Sequence, residues 1–67
     1  MKNNKIQLLD ISFDRRLINL LLIAKDIGYS YTYTRLLLTG KRKNKQASKK
    51  VRDSIIRHYM NLITFVK

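Results

Sequence analysis

The sequence predicts an all-α fold, a small helical bundle that contains a helix-turn-helix. Apolar residues recur at helical spacing in two stretches, one in each half of the chain. Between them, residues 23–40 (IAKDIGYSYTYTRLLLTG) place a small residue, Ala24, four positions before Gly28 and end on Gly40. Two helices that cross steeply need a small side chain where their axes approach and a residue that tolerates positive φ at the turn. We therefore expect this helix pair to organise the fold.

The composition predicts one small basic domain with an anionic partner. The 67 residues contain 15 Lys and Arg against 4 acidic residues, a net charge of +11. A core of this size stabilises only marginally, and self-repulsion weakens it further unless counter-charge is nearby. Because Cys is absent and His occurs once, disulfides and the usual zinc-finger spacing are excluded. We expect residues 1–67 to form a single domain, with 1–5 flexible and no metal or cofactor.

Residues 6–13 (IQLLDISF) fit either one loose helical turn or a short extended segment. We expect a short helix or an extended arm that packs on the core. A dimerising strand is the alternative.

From Asp14 the apolar period is helical, and Ser12 is the expected N-cap. The face of this first helix that is expected to meet the core comprises Leu17, Leu20, Leu21, Ala24 and Ile27. Ile18 and Leu22 lie off that face. They are expected to contact either the N-terminal segment or a second copy of the chain.

Residues 29–34 (YSYTYT) alternate with a period of two and are rich in β-formers, so a strand is a competing interpretation. The continuation through residues 35–38 does not alternate, and Gly40 is typical of a helix end. Ser30 can cap a helix by accepting a backbone N–H. We therefore favour a second helix that starts after Ser30 and stops before Gly40.

A run of positive charge follows this second helix. Residues 41–50 (KRKNKQASKK) contain six basic residues and no acidic one. We call these six residues the basic block: Lys41, Arg42, Lys43, Lys45, Lys49 and Lys50. A charge run is often only a solvated face, and this remains an alternative. Its position directly after the second helix favours contacts with phosphate groups.

The last element is predicted as one helix over residues 45–65. Its core stripe is expected to comprise Val51, Ile55, His58, Leu62 and Phe65. A second apolar strip, Ile56 and Ile63, is available for a partner. On the core stripe, His58 is expected to be a core or boundary residue rather than a metal ligand.

Residues 20–44 resemble the helix-turn-helix of phage-repressor-type regulators, the lambda-repressor-like or Xre class. Ala24 falls at that motif's small position, Gly28 at its turn and Leu37 at its buried anchor. The resemblance implies an all-α domain that binds double-stranded DNA at promoters or operators, often as a homodimer. Such small proteins are frequent in phages and mobile elements.

The sequence departs from this class at two positions. Thr34 stands where Val or Ile is usual, which loosens the anchor unless its hydroxyl bonds back to a carbonyl. Leu20 stands where the class often places a phosphate-binding polar residue. Because no turn precedes it, one longer helix is expected to replace the first two helices of the class.

The resemblance also implies site residues. A recognition helix directs its N-terminal side chains into the major groove, and Arg can bond the O6/N7 edge of guanine. The expected base-reading residues are Tyr31, Thr32 and Arg35, with Thr39 or Leu36 at the edge. The expected phosphate contacts are Ser30 and the basic block. Tyr29 and Tyr33 are expected to be packing residues.

The function expected from the sequence is therefore sequence-specific regulation of transcription by a DNA-binding homodimer. An enzyme is not expected, because the sequence has four acidic residues without useful pairing, one His and no Gly-rich phosphate loop. A non-specific DNA- or RNA-binding protein is the nearer alternative, and a cationic membrane-active peptide the more distant one. No signal peptide or membrane span is expected, and neither is a small-molecule substrate. The expected location is the cytoplasm of a bacterial or phage-infected cell.

Overall fold

A computed structural model describes residues 4–66, and within this range the fold is mixed α/β. The strands are β1 (Lys5–Leu8), β2 (Ile11–Asp14) and β3 (Ile63–Phe65); the helices are α1 (Leu20–Ile27), α2 (Tyr31–Leu38) and α3 (Lys45–Tyr59). Short 3₁₀ turns, Arg15–Leu17 and Met60–Leu62, connect β2 to α1 and α3 to β3. The strands form one antiparallel sheet in the order β1-β2-β3. The prediction of an all-α bundle is therefore wrong.

Residues 6–13, for which we expected a short helix or arm, belong to a β-hairpin. Ile6, Leu8, Ile11 and Phe13 alternate with polar residues, and cross-strand pairing runs from Lys5–Asp14 to Leu8–Ile11. Leu9 occupies the turn with φ 55°, a left-handed conformation that costs a non-glycine residue about 1–2 kcal/mol. Burial of Leu8, Ile11 and Phe13 offsets this cost. Lys5 of the segment expected to be flexible is part of β1, whereas residues 1–3 lie outside the described range.

The last helix ends at Tyr59, six residues before the predicted end. The chain then makes a 3₁₀ turn and returns as β3, which pairs with β2 through Phe13–Ile63, Ser12–Thr64 and Ile11–Phe65. Ile, Thr and Phe favour strands, and β2 offers them an open edge. Pairing with β2 therefore ends the helical pattern here.

The first helix is also shorter than predicted. Asn19, not Ser12, is the N-cap of α1, and its Oδ1 accepts the amide of Leu22 at 3.3 Å. Asp14 caps the preceding 3₁₀ turn by accepting the amide of Arg16 at 2.9 Å, while Ser12 lies within β2. Two competing caps therefore divide what the apolar period presents as a continuous helix.

The core lies between the sheet and the three helices. Its buried apolar residues are Leu8, Ile11, Phe13, Ile18, Ile23, Leu37, Leu38, Ala47, Val51 and Ile55. The predicted core position of Leu17 is wrong, because its side chain is 52% exposed; Leu21 is exposed to a similar degree. Ile18, expected off the core face, is buried. The reason is the start of α1 at Leu20, which leaves Leu17 and Ile18 outside the helical register.

On α3, the predicted core positions of Val51 and Ile55 are confirmed. Leu62 and Phe65 are exposed instead, since they lie beyond the helix. His58 is also exposed, with Nε2 at 3.6 Å from Oδ2 of Asp26.

The predicted pair of helices around Gly28 is confirmed. Gly28 has φ 77° at the end of α1, and Gly40 has φ 79° just beyond α2. Ser30 caps α2, as predicted, by accepting the amide of Tyr33 at 3.1 Å. Thr34 is completely buried and donates its hydroxyl to the carbonyl of Ser30 at 2.8 Å, which is the back-bond that a polar residue needs at this position.

Candidate nucleic-acid interface

The outer face of α2 carries the residues predicted to read bases. Tyr31, Thr32 and Arg35 are exposed, whereas Thr34, Leu37 and Leu38 turn into the core. Buried residues at every third or fourth position fix the rotation of the helix about its axis. The predicted reading residues therefore share one solvent-facing side of α2.

The two hydroxyl residues at the ends of α2 already take part in its capping. Ser30 accepts the amide of Tyr33, so its own O–H remains available to donate. Thr39 donates its hydroxyl to the carbonyls of Arg35 and Leu36 at 3.0 and 3.3 Å. Thr39 can therefore offer an external ligand only acceptor lone pairs and a methyl group.

The loop that leaves α2 is held against the end of the helix. The amides of Lys41 and Arg42 both donate to the carbonyl of Leu36, at 3.0 and 3.2 Å, and the amide of Gly40 donates to Leu37. The left-handed glycine makes this reversal possible. The backbone of Lys41 and Arg42 is thereby held at the C-terminal end of α2, through the carbonyl of the residue that follows Arg35.

The rest of the basic block lies at the start of α3. Asn44 caps this helix by accepting the amide of Ala47 at 3.1 Å, and Lys45 and Lys49 are exposed. Lys50 places its Nζ 5.9 Å from the centre of the Tyr29 ring. The first turn of α3 contains no acidic residue. Cations near the positive end of a helix dipole are unfavourable, and an anion bound there would reverse this effect.

The carboxylates of all four aspartates are paired with arginines that belong neither to α2 nor to the basic block. Asp14 lies 3.2 Å from Arg16, and Asp10 and Asp53 each lie 2.9 Å from Arg52. Asp26 contacts Arg57 and accepts the hydroxyl of Ser54 at 2.7 Å. Within residues 4–66, neither Arg35 nor any residue of the basic block has a carboxylate within 4.0 Å.

Two of these contacts favour the ionised form of the carboxylate, at Asp14 and Asp26. Hydrogen bonds from Ser54 and Arg57 lower the pKa of Asp26, and hydrogen bonds from Arg16 lower that of Asp14. The bonds to Asp10 and Asp53 raise the pKa of Arg52. Near neutral pH the uncompensated positive charge is thus concentrated on α2, the following loop and the start of α3.

Tyr29 and Tyr33 are packing residues, as the sequence predicts. Both are partly buried against the core, and their rings meet edge to face with centroids 5.3 Å apart. Sequence reasoning missed a polar contact of this pair: the Tyr33 hydroxyl accepts a hydrogen bond from Nδ2 of Asn44 at 3.2 Å. The cap function of Asn44 has a sequence signal, since Asn directly precedes the helical pattern, but the contact with Tyr33 has none.

No known protein family, curated protein or solved structure matches this chain. Across residues 4–66, no helix has the length and apolar character to cross a membrane. In the same part of the chain, His and acidic side chains do not form a group of three that could bind a metal ion.

Proposed function

We propose that this protein is a sequence-specific regulator of transcription that binds double-stranded DNA through α2. The helix enters the major groove, as in the helix-turn-helix of the lambda-repressor-like class, and the basic block holds the flanking phosphates. One observation carries the proposal. Among residues 4–66, the exposed Arg35 of α2 and the basic block that follows this helix in the chain have no carboxylate within 4.0 Å, whereas every aspartate is paired with an arginine outside this set.

In this proposal the residues of α2 have separate roles. Arg35 presents a guanidinium that can bond a guanine edge through two parallel hydrogen bonds. Thr32 lies nearer the start of the helix and can donate, accept or contact a thymine methyl. Tyr31, which is 48% exposed at the first position of α2, is placed to contact a phosphate.

Replacement of Arg35 tests this role. Arg35→Ala is expected to cost about 1–3 kcal/mol at the preferred site, a typical contribution of a bidentate contact to guanine. Affinity for unrelated duplexes should fall much less, because the basic block remains. The site is first obtained by selecting bound duplexes from a random library, and the ratio of specific to non-specific affinity is then measured at fixed salt.

Arg15→Ala is the matched control, since Arg15 is an exposed arginine outside α2 without a carboxylate partner among residues 4–66. It should leave the ratio unchanged. If Arg35→Ala lowers the specific and the non-specific affinity equally, Arg35 contacts a phosphate rather than a base. If Arg35→Ala lowers neither the specific nor the non-specific affinity, α2 does not enter the groove.

A non-specific nucleic-acid binder is the second candidate, and the exposed Tyr31 beside unpaired cations favours it. Exposed aromatic rings can stack on the bases of single strands. Tyr29 and Tyr33, however, pack on each other and on the core, so they do not form an open stacking platform. Competition between duplex and single-stranded DNA of the same sequence distinguishes the candidates, and the proposed function requires that the duplex compete better.

We also propose that the protein acts as a homodimer. Of the residues expected at a dimer surface, Ile18 is buried in the core and Ile56 and Ile63 pack against it, whereas Leu22 is exposed as that expectation requires. Further exposed apolar side chains occur near the start of α1 and the end of α3: Leu17, Leu21, Met60 and Leu62. The Tyr59 hydroxyl accepts the amide of Asn19 at 3.1 Å, which brings the start of α1 beside the end of α3. Exposed apolar groups near one another favour association.

The dimer is expected to be detectable by sedimentation at about 100 µM protein. This concentration is far above the micromolar dissociation constant of an association of about 8 kcal/mol. Leu22→Lys should shift the equilibrium toward monomer, whereas Leu9→Lys, at an exposed leucine in the β-hairpin turn, should not. A protein that stays monomeric even with DNA present would contradict the proposal.

A further inference from the structure

The contact between Tyr33 and Asn44 links the reading helix to the basic block. Tyr33 belongs to α2, and Asn44 lies between the loop cations and α3. The Oδ1 of Asn44 accepts the amide of Ala47, so Nδ2 is the group that donates to the Tyr33 hydroxyl at 3.2 Å. One side chain thus caps α3 and joins it to α2.

The Tyr33–Asn44 hydrogen bond holds the C-terminal end of the loop over residues 41–44, whose N-terminal end is also hydrogen-bonded to α2. Lys41 and Arg42 donate their amides to Leu36 at the end of α2, and Asn44 then returns the chain to the same helix at Tyr33. Lys43 lies between these two anchors, so the residues on both sides of it are hydrogen-bonded to α2.

We propose that Tyr33 and Asn44 are positioning residues, which hold the loop cations at a fixed distance from the reading face of α2. The inference rests on the proposed function. Groups that are held in the bound geometry before association lose less conformational entropy when they bind. The expected consequence is that the link increases affinity for DNA without contacting it.

The test compares two variants that each remove one tyrosine hydroxyl. Tyr33→Phe breaks the link to Asn44 but keeps the ring that packs against Tyr29. Tyr59→Phe breaks the hydrogen bond to the amide of Asn19, near the opposite end of α3 from the basic block. Both lose a comparable exposed hydrogen bond, so their thermal stabilities should be similar.

The probe is a mixed-sequence DNA duplex of about 30 base pairs, or three helical turns. Relative to the wild-type protein, Tyr33→Phe should bind it about threefold to tenfold more weakly, the range of one intramolecular hydrogen bond. The slope of log affinity against log salt should become shallower by up to about one unit, as if one phosphate contact were lost. Tyr59→Phe should change neither quantity, and sedimentation checks that both variants associate to the same degree as the wild-type protein.

Asn44→Ser provides a second approach to the same link. Serine keeps an acceptor for the cap of α3 but is too short to reach Tyr33. Its effect on affinity should equal that of Tyr33→Phe, and the double variant should bind no more weakly than either single variant. Additive losses would overturn the inference.

The outcomes separate this inference from the proposed function. If the wild-type protein binds duplex DNA and Tyr33→Phe binds like Tyr59→Phe, the link does not position the loop and the inference alone is wrong. If the wild-type protein fails to bind any duplex at low salt, the proposed function is wrong and the inference falls with it. A selective loss in Tyr33→Phe supports the inference and the duplex binding on which it rests, whereas sequence specificity is tested separately by Arg35→Ala.

Discussion

Affinity for duplex DNA is expected to collapse as the salt concentration rises. Each phosphate that is neutralised by a lysine or arginine contributes about −0.9 to the slope of log affinity against log salt. Six contacts from the basic block would give about −5, and we expect about −3 to −5 per protomer because some side chains will face water. Between about 50 and 200 mM salt, affinity should therefore fall by about 60-fold to 1000-fold.

The charge arrangement in the structure supports the size of this effect. No carboxylate in the described range, residues 4–66, lies within 4.0 Å of the basic block, so no salt bridge of this range has to break before a phosphate contact forms. Of the six residues, Lys50 is the least free, because its ammonium group lies over the Tyr29 ring. The slope is measured by fluorescence anisotropy with a labelled duplex at several salt concentrations.

A pair of lysine variants separates the basic block from net charge alone. Lys43→Ala should weaken binding to all sequences alike and make the slope shallower by up to about one unit. Lys25→Ala removes the same charge from the exposed side of α1 and should leave the slope unchanged. If the slope of log affinity against log salt is near zero for the wild-type protein, the basic block does not contact phosphates and serves only solubility. Equal effects of the two variants would mean that binding follows net charge rather than this surface.

The helix pair could be predicted from sequence because its signals are local. Ser30 caps the helix that begins one residue later, and Gly28 and Gly40 take the positive φ that ends each helix. Each of these interactions joins residues no more than a few positions apart. The same holds for the back-bond from Thr34 to Ser30. Such short-range interactions can be inferred from the local sequence without knowing where distant parts of the chain lie.

The sheet could not be predicted in the same way because its pairing is long-range. Phe13 and Ile63 are partners although they lie 50 positions apart in the chain, and either segment alone is too short to show its period. The hairpin turn at Leu9 and Asp10 lacks the Asn-Gly or Asp-Gly signal that usually identifies such turns. At the C-terminal end, the apolar spacing of α3 continues past Tyr59, so the sequence pattern conceals the change to a strand.

The candidate site was predictable in composition but not in arrangement. Six cations in residues 41–50 are evident in the sequence, and so is the exposure of Arg35 on a helix anchored by Leu37. The separation of charge depends on contacts such as Arg52 with Asp10, which are 42 residues apart. Only the folded chain shows that the aspartates pair with arginines outside the basic block, which among residues 4–66 has no carboxylate partner.

The stability of the fold should depend on Phe13, which joins the sheet to the helices. Phe13 is 1% exposed and lies in the central strand, between β1 and β3. Phe13→Ala is expected to cost about 3–5 kcal/mol, as for other buried phenylalanines. Because a domain of this size rarely gains more than about 3–5 kcal/mol from its core, most of the variant should be unfolded at 25 °C. Urea titration followed by far-ultraviolet circular dichroism measures the change.

Phe65→Ala is the matched control, because it makes the same truncation in the neighbouring strand at a side chain that is 56% exposed. Its cost should be small, within about 0.5 kcal/mol if it behaves as a surface position. The all-α arrangement expected from sequence makes a different prediction for Phe65, since it places this residue on the core stripe of the last helix and Phe13 in a short helix or arm that packs on the core. A larger loss in Phe65→Ala than in Phe13→Ala would therefore contradict the sheet. The expected order requires β2 to pack against the helices that present the proposed DNA-binding surface.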